Sequence, residues 1–435
     1  MRSWRHVAGF VLLSVRAAAA QVPPARLEER VRSTTDTSQT FALFLPPGYT
    51  TERRWPVLFV LDPRGRALLA LKRFQDGAAR LGWVIVSSYN TLSDGPPEPN
   101  VNAMNAMLAW AQTLPSLDPT RLYLAGFSGT ARAVLVFAVE LRGRVAGVIA
   151  VGGALGFALR GPETAFAGDS SFAYFGSAGT QDFNYEEVLA MADRFRTTRV
   201  PFRFMMFDGP HAWPPPDVCG EALDWLELRA MVGGLRTMDS GWVRARLAGE
   251  VARAAELERV GRWAEALRLD DAIARDYTRW PEARDAADRA AALRRSSVMD
   301  KYDAEVHRLA ERDLNQGVGL PKIFAWARSQ REPPSLEALA TKLRIEELQR
   351  TTERGDSLER ASARRRLARV QVHLAFYEPR AYLATGSASR ALRMLEAAAT
   401  IGPIQGEACG LLRDAFRGAT PEQRERLASE CAPSQ

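Results

Sequence analysis

The chain has 435 residues, of which 46% are hydrophobic and 25% are charged, a composition typical of a globular protein with a sizeable core. Its length favours two domains over one. The formal net charge is +7, and the basic excess lies in the first 20 residues and after residue 235. Because the basic residues gather into neither a cluster nor a known binding motif, the sequence argues against a nucleic-acid partner.

The first 20 residues have the order of a secretory signal peptide. Arg2 and Arg5 precede an apolar run over residues 7–15, and the alanines at 17–20 provide an A-x-A cleavage site. The apolar run is too short for a stable transmembrane helix. We therefore predict a cleaved leader over residues 1–20, a secreted or periplasmic protein and no stable membrane span. A disordered tail is the alternative interpretation.

Short apolar runs alternate with helical patterns in the first half of the chain. The runs cover residues 41–45, 57–61, 83–86, 122–125, 145–151, 172–175 and 202–207. This alternation predicts an α/β fold with a mostly parallel sheet flanked by helices. The nearly continuous hydrophobicity of the later runs indicates strands that are buried on both faces.

The composition and the hydrophobic periodicity of the sequence change near Gly233 and Gly234. Strand-like runs stop there, and Ala, Arg, Glu and Leu recur with helical spacing. We therefore predict an α/β domain over residues 21–235 and an all-α domain over residues 236–435. Within the latter, residues 261–281 resemble a tetratricopeptide-type helix pair, and residues 388–403 echo it weakly. A repeat-like superhelix and an irregular bundle both remain open. A break in the helices is expected between residues 317 and 334.

The three cysteines, Cys219, Cys409 and Cys431, are too few and too scattered for a disulfide framework or a zinc site. Export would permit one bridge, and Cys409 with Cys431 is the pair to test because both lie in the helical half. Three independent thiols are the alternative. The sequence contains no metal cluster, Walker loop or dinucleotide fingerprint, so we expect no metal and no cofactor.

Ser128 lies in a strand–turn–helix context, with a strand-like run before residue 126 and a helical pattern from residue 131 to 141. A serine hydroxyl is a poor nucleophile until a histidine base activates it, and an acyl-transfer enzyme exposes that serine on a sharp, strained turn. An ordinary tight turn is the alternative for a lone G-x-S.

The stretch from Gly126 to Arg132 resembles the nucleophile elbow of the α/β-hydrolase family, and the resemblance covers roughly residues 38–230. Thr130 stands where the family usually has glycine, and a side chain there crowds the helix against the strand; because the rest of the stretch matches the family, the departure is expected to be tolerated. The resemblance implies an α/β-hydrolase fold and an esterase-type serine hydrolase that cleaves carboxylic esters through an acyl-enzyme.

In this family an acid and then a histidine follow the serine in the sequence. Asp182 and His211 each follow a predicted strand, and His211 is the only histidine between residues 7 and 306. We therefore predict Ser128, Asp182 and His211 as the catalytic triad. Asp208 and Asp217 are the alternative acids, and capping of the next helix is the alternative role for Asp182.

The resemblance also implies two backbone donors for the reaction's oxyanion. Gly129 follows the nucleophile, and Arg64 is the other donor by position, because Pro63 has no N–H. Trp213, together with the proline-rich segments 95–100 and 214–216, is expected to line a fairly open site for an apolar acyl or aryl group. A rim position for Arg64 and plain packing for Trp213 are the alternatives.

The expected substrate is a small-molecule or polymer-borne ester. A serine peptidase of the same fold and a non-catalytic binding or scaffold protein are the alternative functions, and the presence of both serine and histidine favours an enzyme. We expect the helical half to fold separately, to affect substrate access more than chemistry and to offer a surface to a protein partner.

Overall fold

The computed structural model describes residues 23–154, 172–416, 419–428 and 431, so the predicted leader lies outside the described residues. Its strands are β1 (Arg26–Arg32), β2 (Thr40–Leu45), β3 (Trp55–Leu61), β4 (Val84–Ser88), β5 (Leu117–Phe127), β6 (Val145–Val151), β7 (Ala173–Gly179) and β8 (Phe202–Phe207). They form one sheet in the order β1-β2-β4-β3-β5-β6-β7-β8. β2 pairs antiparallel with β1 and β4, and the other neighbours pair in parallel.

All the predicted strands are present, and the mostly parallel α/β architecture is confirmed. β1 is the strand that the sequence did not reveal, because its residues are mostly charged and lie at an exposed edge of the sheet. β3, β4 and β7 are buried along their whole length, as their continuous hydrophobicity indicated.

Helices cover both faces of the sheet. In the described part of the first half they are α1 (Ala67–Leu81), α2 (Glu98–Gln112), α3 (Gly129–Glu140), α4 (Tyr185–Phe195) and α5 (Pro216–Val232). Phe74 of α1 and Leu223 of α5 share a core cluster on one face, and Trp110, Val134 and Phe195 of the other three helices share the cluster on the opposite face. The sheet is therefore the middle layer of three.

The region after residue 236 is helical, as predicted. Its described helices are α6 (Ser240–Arg259), α7 (Trp263–Asp276), α8 (Glu282–Arg294), α9 (Ser297–Ser329), α10 (Leu336–Leu343), α11 (Ile345–Arg354), α12 (Ser357–Val372), α13 (Glu378–Ala384), α14 (Ala388–Ala399), α15 (Glu407–Ala415) and α16 (Pro421–Ala428). A π-helical turn over His373–Tyr377 joins α12 to α13. Each of the described helices is too short or too polar to cross a bilayer.

The expected break in the helices comes later than Gly317. α9 continues through Gly317 and Pro321 and ends only at Ser329, inside the predicted range. Proline in a helix costs about 3 kcal/mol, but Leu320 and Phe324 beside it are buried in the core, and burial of two such side chains offsets that cost. Cys409 and Cys431 form a disulfide, with Cα atoms 5.6 Å apart, and Cys219 is a buried free thiol.

The core of the sheet continues past residue 236. Val243, Leu247 and Ile273 belong to the same buried cluster as α1 and α5. A second core, which begins with Leu320 in α9, is built from the later helices. The division at residue 236 stays a prediction about folding units, and α6–α8 pack as part of the layer that covers the sheet.

A buried ion-pair network also crosses residue 236. Arg203 of β8 is only 4% exposed, and its guanidinium donates to both carboxylate oxygens of Glu250 at 2.8 and 2.7 Å. Its Nε lies 3.2 Å from Asp276 Oδ2, and Arg246 also pairs with Glu250, at 2.8 Å. The network joins the last strand to α6 and α7.

We expect residues 21–235 expressed alone to aggregate. Without α6 and α7, Arg203 loses Glu250 and Asp276, and the ion-pair network that joins β8 to these helices is absent. Apolar surface on α1 and α5 would also be exposed. Size-exclusion chromatography is the measurement, with residues 21–295, which retain α6–α8, as the control. A soluble, cooperatively unfolding 21–235 fragment would contradict the expectation.

The same network predicts a pH-dependent stability. Burial raises the pKa of the Glu250 carboxyl, but Arg203 and Arg246 outweigh burial and bring it to about 2, against an ordinary value of 4.5. Ionised Glu250 therefore stabilises the fold above about pH 4.5 by about 3 kcal/mol, and this contribution disappears as the pH falls towards 2.

We expect Glu250→Gln to lower the free energy of unfolding by about 3 kcal/mol at pH 7 and by about half as much at pH 3. Urea denaturation at the two pH values measures both numbers. Glu256→Gln, an exposed position on the same helix, is the control and should change little. An equal loss for Glu250→Gln at both pH values would rule out the charge pairing as its cause.

Candidate active site

Ser128 lies on a strained turn between β5 and α3. Its φ is +57° and its ψ is −124°, a conformation that non-glycine residues rarely adopt. A Cβ on Gly126 would clash with the carbonyl oxygen of Thr130, and one on Gly153 would clash with that of Ser128. The turn therefore requires small neighbours and presents the serine at the end of a central strand.

Thr130 is accommodated in the turn by hydrogen bonds of its side chain. Its buried hydroxyl donates to the carbonyl oxygen of Leu61 at 2.6 Å and accepts a hydrogen bond from the backbone N–H of Phe127 at 3.1 Å. Leu61 is the last residue of β3, so the threonine ties the turn to the neighbouring strand. The side chain fits because its hydroxyl satisfies backbone groups at the strand ends.

The strand order, with an antiparallel start and a serine on the turn from a central parallel strand into a helix, decides the fold. The chain has the α/β-hydrolase fold. In such a sheet the loops after parallel strands meet at one edge. Asp182 and His211 lie in the loops after β7 and β8, beside Ser128.

The structure brings the three predicted residues together in a chain of hydrogen bonds. His211 Nε2 lies 2.9 Å from Ser128 Oγ, and His211 Nδ1 lies 2.8 Å from both carboxylate oxygens of Asp182. Asp182 is fully buried. The imidazole ring is held between Phe127 and Phe183, with ring centroids 4.6 and 4.3 Å away. The aromatic contacts fix the ring so that one nitrogen faces the serine and the other the carboxylate.

The alternative acids are placed elsewhere. Asp208 Oδ1 accepts hydrogen bonds from Thr180 Oγ1 at 3.1 Å and Gln181 Nε2 at 3.2 Å. Asp217 lies in the first turn of α5. The N-cap of α4 is Asn184, so Asp182 does not hold that position. Of the acids considered, Asp182 is the one in contact with the histidine.

Gly129 and Arg64, the two predicted oxyanion donors, differ in their surroundings. Gly129 begins α3, where the first N–H groups have no partner within the helix. The N–H of Arg64 donates to Asp62 Oδ1 at 2.9 Å, so a role as the second oxyanion donor would require this bond to break. The role of Arg64 therefore stays a prediction.

Asp62 is a central residue that the sequence analysis did not single out. Its carboxylate also accepts hydrogen bonds from Arg66 Nε and Nη2, both at 3.0 Å, and from Trp213 Nε1 at 2.8 Å. Burial raises the pKa of this carboxyl, but the bonds to Arg66 and Trp213 outweigh burial and the pKa is lowered. An aspartate directly after a buried strand was the available signal.

Trp213 packs in the core and anchors its loop, which fits the alternative of plain packing, and its contact with a substrate stays a prediction. It is 4% exposed and packs against Phe74 and Phe127, with ring centroids 5.7 and 5.6 Å away. Because it lies two residues after His211, its bond to Asp62 ties the histidine loop to the loop after β3.

The chain is similar to known proteins in structure but matches none of them in the sequence comparisons. No family model and no curated protein sequence matches the chain. It is similar to an S-formylglutathione hydrolase from Staphylococcus aureus, with 14% identity, a TM-score of 0.37, and 46% of this chain and 96% of that chain covered. A ferulic acid esterase has 16% identity, a TM-score of 0.38, and coverages of 46% and 95%. A fungal esterase structure from Rhizomucor miehei has 16% identity, a TM-score of 0.36, and coverages of 47% and 84%. Our assignment of the fold rests on the strand order and the serine turn of this chain.

A cleft of about 830 Å³ lies along the free edge of β8, between that strand and the helices α6, α7 and α12. Neither Ser128 nor His211 lines it. The cleft is therefore separate from the place where Ser128 would react.

We expect Trp213→Phe to lower the free energy of unfolding by about 1–3 kcal/mol, because the buried carboxylate of Asp62 loses a donor while the aromatic packing is largely kept. Chemical denaturation measures the loss. Trp110→Phe, within the apolar core on the other face of the sheet, is the control for the change of ring size. Equal losses for the two variants would mean that the hydrogen bond contributes nothing.

Proposed function

We propose that the chain is a serine hydrolase that cleaves carboxylic esters through an acyl-enzyme intermediate, with Ser128 as nucleophile, His211 as base and Asp182 as the acid. The observation that carries the proposal is the continuous set of hydrogen bonds from Ser128 through His211 to Asp182, on a strained turn. A structural serine has no need of a strained backbone and a base oriented by a buried carboxylate.

In acylation, Ser128 Oγ attacks the ester carbonyl carbon while His211 Nε2 takes its proton. Asp182 keeps the other imidazole proton on Nδ1, so that Nε2 is the free acceptor, and stabilises the imidazolium that forms. The C–O bond to the alcohol then breaks, and the alcohol leaves with the proton from Nε2. The acyl group stays bonded to Ser128.

In deacylation, His211 takes a proton from water, and the resulting hydroxide attacks the acyl carbon. The Ser128 oxygen leaves with the histidine's proton and the carboxylic acid is released. In both steps the N–H of Gly129 supports the negative oxygen. One such donor typically contributes about 10²–10³ to the rate.

We further propose that the protein acts in a secreted or periplasmic location, on small-molecule or polymer-borne esters. The support is the predicted leader over residues 1–20 and the bridge between Cys409 and Cys431, since disulfides persist in oxidising compartments. A protein partner for the helical half remains part of this proposal.

We expect Ser128→Ala to keep the fold and to lose ester hydrolysis by a factor of about 10³ or more. Turnover of p-nitrophenyl esters of rising chain length measures the loss, and a fluorophosphonate probe should label the unaltered chain at Ser128 only. A parallel series of p-nitroanilides separates an esterase from a peptidase. Unchanged turnover in a clean Ser128→Ala preparation would remove the proposal.

We expect Asp182→Asn to reduce turnover far more than Asp208→Asn, because only Asp182 contacts the imidazole. Loss of the equivalent carboxylate in a serine protease costs about 10⁴ in turnover. Steady-state kinetics on the two variants gives the comparison. If Asp208→Asn is the more damaging change, the acid has been misassigned.

A further inference from the structure

One continuous helical run of the C-terminal half, formed by α12, the π-helical turn and α13, contacts both loops that flank the reacting groups. We propose that this run is a positioning element of the active site, which holds the acid-bearing loop through Arg365 and Arg369 and the loop beside the nucleophile through Tyr377 and Arg380. The proposal rests on the proposed function and goes beyond it, because it assigns a role in chemistry to the helical half.

The contact with the acid-bearing loop consists of two charged hydrogen bonds. Arg365 Nη1 donates to the carbonyl oxygen of Thr180 at 3.0 Å, and Arg369 Nη2 donates to that of Phe183 at 2.8 Å. These carbonyl groups stand on either side of Asp182. Because the arginines are four residues apart on a helix, they lie on one face and bind the loop at two carbonyl groups.

The arginines are themselves held in place. Arg365 is 6% exposed, its Nε donates to Asp313 Oδ2 at 2.8 Å, and its Nη2 lies 3.1 Å from Glu186 Oε1. Arg369 Nη1 donates to the carbonyl oxygen of Asp313 at 2.8 Å. Asp313 belongs to α9 and also accepts a bond from Ser362 Oγ at 2.6 Å. Because each guanidinium is bound to α9 as well as to the acid-bearing loop, it holds that loop at a fixed distance from α12.

The contact with the second loop reaches the residue after the nucleophile. Arg380 Nη1 donates to the carbonyl oxygen of Asp94 at 2.6 Å, and Tyr377 OH lies 3.5 Å from Asp94 Oδ1. Asp94 has a φ of +57°, a strained conformation, and its Oδ2 accepts a bond from Ser93 Oγ at 2.6 Å. Ser93 lies against Gly129, because a Cβ on that glycine would clash with its hydroxyl. The helical run therefore supports the side of the site where the oxyanion would form.

The π-helical turn explains how one helix face reaches both loops. An α-helix turns about 100° per residue, so Tyr377, twelve residues after Arg365, would stand about 120° away from it. A π-turn accommodates roughly one extra residue, which reduces the difference to about 20°. Tyr377 then shares a face with Arg365 and Arg369.

This arrangement changes the expectation that the helical half affects access more than chemistry. Three backbone carbonyl groups next to the site, those of Thr180, Phe183 and Asp94, receive their side-chain donors from residues after 364. Without those donors, the loops that carry Asp182 and that adjoin Gly129 would lose side-chain contacts that limit their movement. A displacement of about 1 Å in a catalytic group can cost about 10²-fold in rate.

The test uses the full chain with Arg369→Met, Arg369→Lys and, as a control, Arg364→Met, an exposed arginine on the same helix. For a short p-nitrophenyl ester we expect Arg369→Met to lower kcat by about tenfold to a hundredfold while KM changes less than threefold. Arg369→Lys, which keeps a cationic donor, should recover part of the loss, and Arg364→Met should match the unaltered chain. Hydrogen exchange should increase over residues 179–184 in Arg369→Met alone.

An unchanged kcat in folded Arg369→Met overturns the proposal, and so does a raised KM with kcat retained, which would indicate control of access only. If Arg369→Met unfolds, Arg380→Met at the exposed end of the run decides instead, by the same split between kcat and KM. Failure of the unaltered chain to react with a fluorophosphonate would sink the proposed function itself. If the unaltered chain and Arg369→Met react with the fluorophosphonate at the same rate, only the positioning role is overturned.

Discussion

The strained backbone of Ser128 is the constraint on which the rest of the site depends. A positive φ at a serine is unfavourable, so the surrounding structure has to hold it. Gly126 and Gly153 allow the neighbouring backbones to approach, and the Thr130 hydroxyl binds the end of β3. The strain places the hydroxyl at the edge of the sheet where the loops after β7 and β8 converge.

Those loops are held from two directions. Within the first half of the chain, buried Asp62 accepts a hydrogen bond from the indole N–H of Trp213 and so joins the histidine loop to the loop after β3. From the helical half, Arg365 and Arg369 bind the carbonyl groups beside Asp182. Buried charges are costly unless they are paired, and each of these networks combines ionic groups with backbone donors or acceptors. The site is therefore supported by parts of the chain that are far apart in the sequence.

Several features of the structure were not evident from the sequence. The backbone N–H of Arg64 and the indole N–H of Trp213 both donate to the buried carboxylate of Asp62. β1 was missed because its charged residues carry no hydrophobic signal. α9 continues through Pro321 because burial of neighbouring apolar side chains outweighs a local preference. None of these outcomes is visible in the local sequence pattern.

The sequence by itself determined the strand positions, the helical second half and the serine turn, because hydrophobic periodicity and turn chemistry are properties of neighbouring residues. The order of serine, acid and histidine along the chain could also be predicted, since each follows a strand that the pattern reveals. Only the tertiary structure decided that Trp213 reaches Asp62, that the core over the sheet continues past residue 236, and that Arg365 and Arg369 reach the loop of Asp182. Those facts depend on side chains that meet across more than a hundred residues, and no local pattern encodes such meetings.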